Sequence, residues 1–550
     1  MTSSTPPGPP PAGPAPEYLE SGGGGPLTPG PPRPGRRRLV VIGIGGGLAL
    51  GVAAAAAWAA TWYFADGPQA AEALPADTIA YAGLTLDPSG EQKLDALRTL
   101  DKFPTVSDAF DLDGDLRDID IKERIFEFVL TDAACEGLDY ADDIEPWLGD
   151  RVALALVADV DDQPQPVAAI EVTDEAAAED GLSAFRECAG GEDDFGGWVI
   201  DDGWAVLADS EDFATEVARA TRDGSLADDE DFRSWTERAG DPGIVTLYAA
   251  PAAGAYLGRA LEDIGQQGFG MPMGQVSAYD DAPSSVDWAI GSAFADFQGM
   301  AAVVRFDDGA LEVEIAGGPN GAGRVTGESA AGSALVESLP SDTAAAFGTG
   351  WEPGWFDAVT GAIGGDEFFD PMAMLEEFAA TYGLDLPDDA ETLLGEATAV
   401  AVGPDFDPDR FLSEGDTAGL PLGIKVEGDT AGIEEVLGKL RAGLLPEEQA
   451  LLESDSEGDV VAVGPDADYR AALLEDGDLG GSETYRDVVR EDDASSVLFV
   501  DLNAFEALFS SDVFGEDDDV LRDVEPLAGL GLITWTDDDV SHTVLRITTD

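Results

Sequence analysis

Hydrophobic and polar positions change rhythm several times along this chain. From Leu39 to Phe64 no residue is charged. Those 26 residues, at a rise of ~1.5 Å each, exceed a hydrocarbon core of ~30 Å, so the run predicts one transmembrane helix with room for tilt. Beyond it, alternation with a period of two predicts strands at Val152–Val157 and Ala168–Val172. Helical spacing predicts amphipathic helices at Glu175–Glu187, Asp212–Ala220 and Gly254–Ile264. Strands in adjacent pairs, separated by helices, point to an α+β fold with largely antiparallel sheets.

The same succession is met twice. Leu74-Pro75-Ala76-Asp77-Thr78 returns as Leu339-Pro340-Ser341-Asp342-Thr343. Trp147-Leu148-Gly149-Asp150 parallels Leu393-Leu394-Gly395-Glu396, and Ala169 to Val172 parallels Gly423 to Val426. Phe232-Arg233 parallels Tyr485-Arg486, Gly243 to Tyr248 parallels Ser495 to Val500, and each half closes on strand, acidic turn, strand. The chain therefore reads as two tandem copies of a mixed sheet-plus-helices unit, preceded by one transmembrane helix. The expected divisions are 1–38, a Pro/Gly-rich tail; 39–64, the membrane helix; 65–320, the first copy; 321–338, a linker; and 339–550, the second copy. Two like units side by side are expected to leave a groove between them. The first copy carries an extra Gly/Pro-punctuated stretch, Gly265–Ser285, which predicts a long loop.

The flanks of the apolar run give it a direction. Arg36, Arg37 and Arg38 precede it, Asp66 and many acids follow, and Trp58, Trp62 and Tyr63 gather at its far end. Positive charge stays inside and aromatic residues favour the interface, so the N-terminus is expected in the cytoplasm and residues 65–550 outside it, at the plasma membrane. A cleaved signal peptide is the alternative, but its apolar stretch is normally ~7–15 residues. Residues 1–35 hold too few large apolar side chains to offset chain entropy, and disorder is expected there. Gly43, Gly47 and Gly51 recur at four-residue spacing, a face on which two such helices could pair into a homodimer. Gly and Ala on every other face weaken that signal.

Charge then narrows the function. Asp and Glu total 112 against 28 Lys and Arg, a net −84. Leaving out Arg33, Arg36, Arg37, Arg38, Glu17 and Glu20 of the first 64 residues, 110 acids face 24 bases, and no basic patch suits nucleic acid. Lysine is scarce (Lys93, Lys102, Lys122, Lys425 and Lys439), a composition that fits adaptation to high salt; a GC-rich coding sequence is the plainer explanation.

Candidate chemistry is sparse. Cys135 and Cys188 are the only cysteines. Outside the cytoplasm two such residues in one domain most often form a disulfide; free thiols or a bridge between chains are the alternatives. With two Cys and one His, zinc is not expected. His542 is the single histidine, through which Ser-His-Asp or Cys-His catalysis would have to run, and no nucleophile elbow accompanies it, which leaves an ordinary strand histidine as the simpler reading; paired-carboxylate chemistry is open, but nothing selects a pair. The clusters Asp111, Asp113, Asp115, Asp118 and Asp120; Asp405, Asp407 and Asp409; and Asp537, Asp538 and Asp539 lack calcium-loop spacing, so solvated turns are expected. Trp351, Trp355 and Phe356 suit core packing or, as the sharper alternative, a sugar platform. No cofactor motif appears.

The Leu-Pro-x-Asp-Thr opening beyond a transmembrane helix, the Trp/Leu-Leu-Gly strand entry and the two-copy layout together resemble domain of unknown function 3352. The resemblance implies membrane-anchored bacterial envelope proteins, an extracytoplasmic location and no established activity. The expected function is therefore a non-catalytic binding or structural role in the cell envelope. Its protein or polymer partner is unidentified; the expected contacts are with the lipid bilayer through residues 39–64 and with a second copy through the same helix. An acid-dependent envelope hydrolase, or a carrier of a lipid or other hydrophobic ligand between the two copies, are the alternatives.

Overall fold

The structure is a computed structural model. It describes residues 69–550 except 87–90, 111, 113–118, 121, 127–134, 136, 160–162, 190–194, 257–296, 319–329, 363–370, 405, 407–418, 446–447, 492, 506–521 and 538–539. The expected tail, the run 39–64 with Gly43, Gly47 and Gly51, and the Gly265–Ser285 stretch lie outside those residues, as do most of Gly254–Ile264 and half of the linker. Among the described residues no helix is long and apolar enough to cross a membrane.

In the first half the chain lays down β1 (Ala80–Thr85), α1 (Glu91–Asp101), α2 (Pro104–Phe110), β2 (Leu148–Ala158), β3 (Pro164–Val172), α3 (Glu175–Ala189), β4 (Gly197–Asp201) and β5 (Trp204–Ala208). There follow α4 (Glu211–Asp223), α5 (Glu230–Arg238), β6 (Val245–Ala249), β7 (Met300–Asp307) and β8 (Ala310–Gly317). The second half brings α6 (Ala331–Glu337), β9 (Ala345–Gly350), α7 (Trp355–Ala362), α8 (Pro371–Tyr382), α9 (Asp388–Leu394), β10 (Ala397–Val402), β11 (Leu422–Glu427) and α10 (Thr430–Gly443). It ends with β12 (Ser454–Glu457), β13 (Val460–Val463), α11 (Ala467–Leu474), α12 (Glu483–Val488), β14 (Ser496–Asp501), β15 (Leu527–Asp537) and β16 (Val540–Thr549). Residues 331–337, expected within a linker, thus form a helix, because Leu335, Val336 and Leu339 drop into the second core.

All 16 strands among the described residues join one sheet in the order β12-β13-β11-β10-β9-β14-β15-β16-β8-β7-β6-β1-β2-β3-β5-β4. Every pairing is antiparallel, as the adjacent strand pairs predicted. From the free edges inward the two runs are β4-β5-β3-β2-β1-β6-β7-β8 and β12-β13-β11-β10-β9-β14-β15-β16. Each strand of the second run thus stands eight places after its counterpart. They meet where β8 pairs with β16, from Ser541↔Gly317 to Ile547↔Leu311. In place of the expected groove, a hydrogen-bonded ladder joins the halves.

Alternation along the strands sends side chains into helical layers on both faces. In the first half Ala153, Ala155, Trp204, Val206 and Val303 meet Ala214 and Val217 of α4 and Phe232 and Trp235 of α5. On the opposite face Ala205, Val245, Val304 and Phe306 meet Leu97 of α1 and Ala178 and Leu182 of α3. Gly181 lets α3 come down on Trp147, since a Cβ there would lie 2.3 Å from the indole Nε1. In the second half Ala397, Ala399 and Ala401 turn towards α6, and Val426, Val461 and Val463 turn towards Ile433 and Leu437 of α10.

Candidate functional site

Three features stand out from the packing, and the first is the seam. Across β7, β8 and β16 the register places Arg305, Glu312 and Arg546 side by side. Arg546 is 1% exposed. Its guanidinium pairs with Glu312 and, at 3.1 Å, with Asp307, while Nε donates to the Asp487 carbonyl and Nη2 to the Asp307 carbonyl, both at 2.7 Å. Arg490 adds a 2.6 Å pair to Asp307 from the second half, and Arg305 binds Glu312 and Glu314 and donates to the Asp241 carbonyl at 3.1 Å. Burial pushes the Glu314 carboxyl above its usual range despite the pull of Arg305. Nearly every polar atom of Arg546 is matched, which is the condition for burying a charge.

A second row crosses the same seam further along. It runs Trp535, His542, Ala316 and Ala301. His542 stacks on Trp535 with centroids 4.9 Å apart and planes 6° from parallel. Burial lowers the imidazole pKa and Arg238 lowers it further, while Asp537 opposes both. Its Nδ1 is buried without a hydrogen-bond partner among the described residues. His542 thus lies on β16 with its ring packed against Trp535.

The second feature is an apolar stripe. Among the described residues the most exposed large hydrophobic side chains are Phe347, Met374, Phe378, Val400, Ile424, Leu445 and Leu451, all in the second half. Phe347 pairs with Val400, Val400 with Ile424, and Leu498 with Phe347, so four neighbouring strands carry one continuous row on one face. Scattered exposed apolar residues are ordinary; a contiguous row in so acidic a chain is less so.

The third is a shallow pocket of about 20 Å³, room for about one water, at the head of the first half, between the start of the described chain and β1, β2 and β6. Gln69, Gly83, Leu84, Thr85, Arg151 and Ile244 are among its lining residues.

The residues singled out in the sequence are placed as follows. Cys135 and Cys188 form a disulfide with Cα atoms 5.6 Å apart, closing a 53-residue separation. Of the acidic clusters, Asp120 and Asp537 lie among the described residues, and no group of acids, His and Cys able to hold a metal occurs there. Trp351 packs at a tilt against Trp355, with centroids 4.7 Å apart, and donates Nε1 to Thr398 at 3.1 Å, while Phe356 is buried, so these aromatics pack within the second half. Lys425 is buried, and burial lowers its pKa. Its Nζ donates to the Ser338 carbonyl at 3.1 Å and hydroxyl at 2.8 Å, closing the C-terminal end of α6. The sequence reading missed the Arg305–Glu312–Arg546 row. Opposite charges on the last strands of each half were its only signal, and they could be read only with the β8–β16 register in hand.

Residues 42–195 match a protein family described as "Protein of unknown function (DUF3352)". The resemblance noted in the sequence holds over that span, which runs from inside the apolar stretch to just beyond α3. Neither curated proteins nor solved structures give a match to the chain.

Proposed function

We propose that the chain is a single-pass membrane protein whose acidic, duplicated C-terminal portion stands outside the cytoplasm and binds an envelope partner without catalysis. The observation that carries the binding role is the row Leu498, Phe347, Val400 and Ile424, half-buried to exposed on neighbouring strands. Apolar surface left to solvent costs free energy that a partner's surface would recover. The anchor rests on the uncharged run Leu39–Phe64 with Arg36–Arg38 before it. The duplication is supported by the matching strand order of the two runs, added to the sequence parallels.

Topology is the part that decides the rest. No free cysteine occurs among the described residues and both cysteines of the chain are bonded, so an introduced thiol is unique. Single variants Ser3→Cys and Asp468→Cys, the latter exposed on α11, are treated in intact cells with a membrane-impermeant maleimide. Asp468→Cys is expected to label at once and Ser3→Cys only after the cells are permeabilised. The reverse pattern, or labelling of neither before permeabilisation, would sink the extracytoplasmic reading.

The same exposed row also suits the second reading, a carrier of a hydrophobic ligand. There the ligand would lie along the face of the second half, because the seam between the halves is a closed ladder.

A further inference from the structure

One face of the sheet is roofed in the first half and bare over much of the second. In the first half α1 follows β1 and lays Leu97 and Leu100 into the core that holds Val245, Val304 and Phe306. In the second half the helices that follow β9 go elsewhere: α8 and α9 pack on α10, and α7 on α9. The exposed row does not stop at Leu498. The register carries it through Leu532 and Leu545 to Val313. A second row beside it, two residues along each strand, runs from Leu422 through Ala345 to Leu311. Every position in both rows is apolar and none is fully buried. In a chain that is 25% charged, an uncharged face ~30 Å wide, from β11 to β8, is a property of the fold and not of composition.

A helix that suits this face lies on the same chain. Buried Ala379 and the ring of Tyr382, which rests against Gly443 of α10, hold α8 to its own half. Met374 and Phe378, four residues apart and so on one side of α8, are 60% and 48% exposed. Leu97 and Leu100 of α1 are a comparable pair, already seated.

Charge and area choose the occupant. Two chains of −84 repel wherever their ordinary surfaces meet. The two rows bring no charge to a contact, so Glu377, which flanks the stripe on α8, would meet no like charge there. A helix ~18 Å long and ~10 Å across laid on the face buries roughly 500 Å² counting both surfaces, half of the ~1,000 Å² at which specific interfaces begin. A two-fold axis makes the same contact twice and reaches that figure. A lipid or a foreign protein on the rows would leave the α8 stripe uncovered.

We infer that the face takes α8 of a second copy, each copy seating its helix on the other's bare strands about a two-fold axis. This rests on the binding role proposed for the row and names its occupant.

Both cysteines are bonded, so an introduced thiol reacts alone. Two full-length versions, Val400→Cys and Met374→Cys, made different in size by a tag, are co-expressed and their membranes treated with a short bis-maleimide. The mixed adduct is expected to be several times stronger than the adduct either version forms with itself. Adding Phe378→Asp to both versions should cut it about tenfold, while Phe378→Leu should leave it. The Phe378 side chain is exposed, so neither change disturbs the core. A mixed adduct no stronger than the like-with-like adducts, or one unmoved by Phe378→Asp, overturns the exchange of helices. A small maleimide on Val400→Cys separates this result from the fate of the binding role. With no mixed adduct and the thiol protected, another occupant covers the face: the second copy falls and the binding role stands. With no mixed adduct and a thiol that labels freely, both fall.

Discussion

At the scale of single residues, Arg546 sets the terms for the seam. A guanidinium 1% exposed loses nearly all its hydration, and four protein groups replace it: Glu312, the Asp307 carboxylate, and the Asp307 and Asp487 carbonyls. Two of its partner residues lie in the first half and one in the second, so it ties both halves at once. Arg546→Leu would leave Glu312 buried against Arg305 alone and two carbonyls short of a donor. The expected loss is about 3–5 kcal/mol, read from urea unfolding, since breaking a buried pair strands the remaining charge. Adding Glu312→Leu should recover much of that loss; a double variant no more stable than Arg546→Leu would show that the row is not the cause. The reason sequence reasoning missed this row is physical. Charge partners on strands are set by register, and register between distant strands cannot be read from periodicity. The same limit displaced some correspondences. The ladders set Ala169 against Lys425 and Ile244 against Ser495, two residues and one residue from the pairings the sequence suggests. By contrast, Cys135 and Cys188 were legible, because two cysteines in one domain leave few partners.

At the scale of elements, the helix α3 shows what that disulfide holds. Its body is fixed by Ala178 and Leu182 in the core and by Trp198, whose Nε1 donates to Glu179 at 3.0 Å. Its last turn is held by Arg186 lying 4.4 Å over the Trp198 ring and by the bridge from Cys188 to Cys135. Cys135 is itself buried, at the start of the segment that leads through Tyr140 and Ile144 to β2. Closing a loop of that length restricts the unfolded chain by up to about 4 kcal/mol on the chain-entropy account. Replacing both cysteines by Ser is expected to lower stability by a sizeable part of that amount. Faster hydrogen exchange should be confined to α3 and the residues between 135 and 150. An oxidised wild type and a double variant with the same unfolding midpoint would contradict it. Helices and strands with strong periodicity, such as Glu175–Glu187 and Val152–Val157, were legible; α6 was not. Seven residues, the first four of them Ala, Gly, Ser and Ala, give little helical signal, and tertiary packing on β9 and β10 decides the outcome.

At the scale of the whole molecule, the seam and the charge pull in opposite directions. A net −84 spread over one sheet and its helices repels itself across the surface, and few lysines stand by to neutralise it. The seam resists through groups that salt reaches poorly, because Arg546 and Glu312 are buried and the β8–β16 ladder is backbone. Contacts on the opposite face add to it: Lys102 donates to Thr549 at 2.9 Å, and the Thr105 amide donates to Asp523 at 2.9 Å. Screening should therefore relieve the repulsion more than it weakens the joint. As the Debye length falls from ~10 Å at 0.1 M to ~3 Å at 1 M, the unfolding midpoint is expected to rise, and both halves should melt in one transition at either concentration. A midpoint that falls with added salt would mean that exposed ion pairs, not surface repulsion, dominate the balance. Two transitions that merge only on adding salt would mean that the seam is too weak to couple the halves against their own charge.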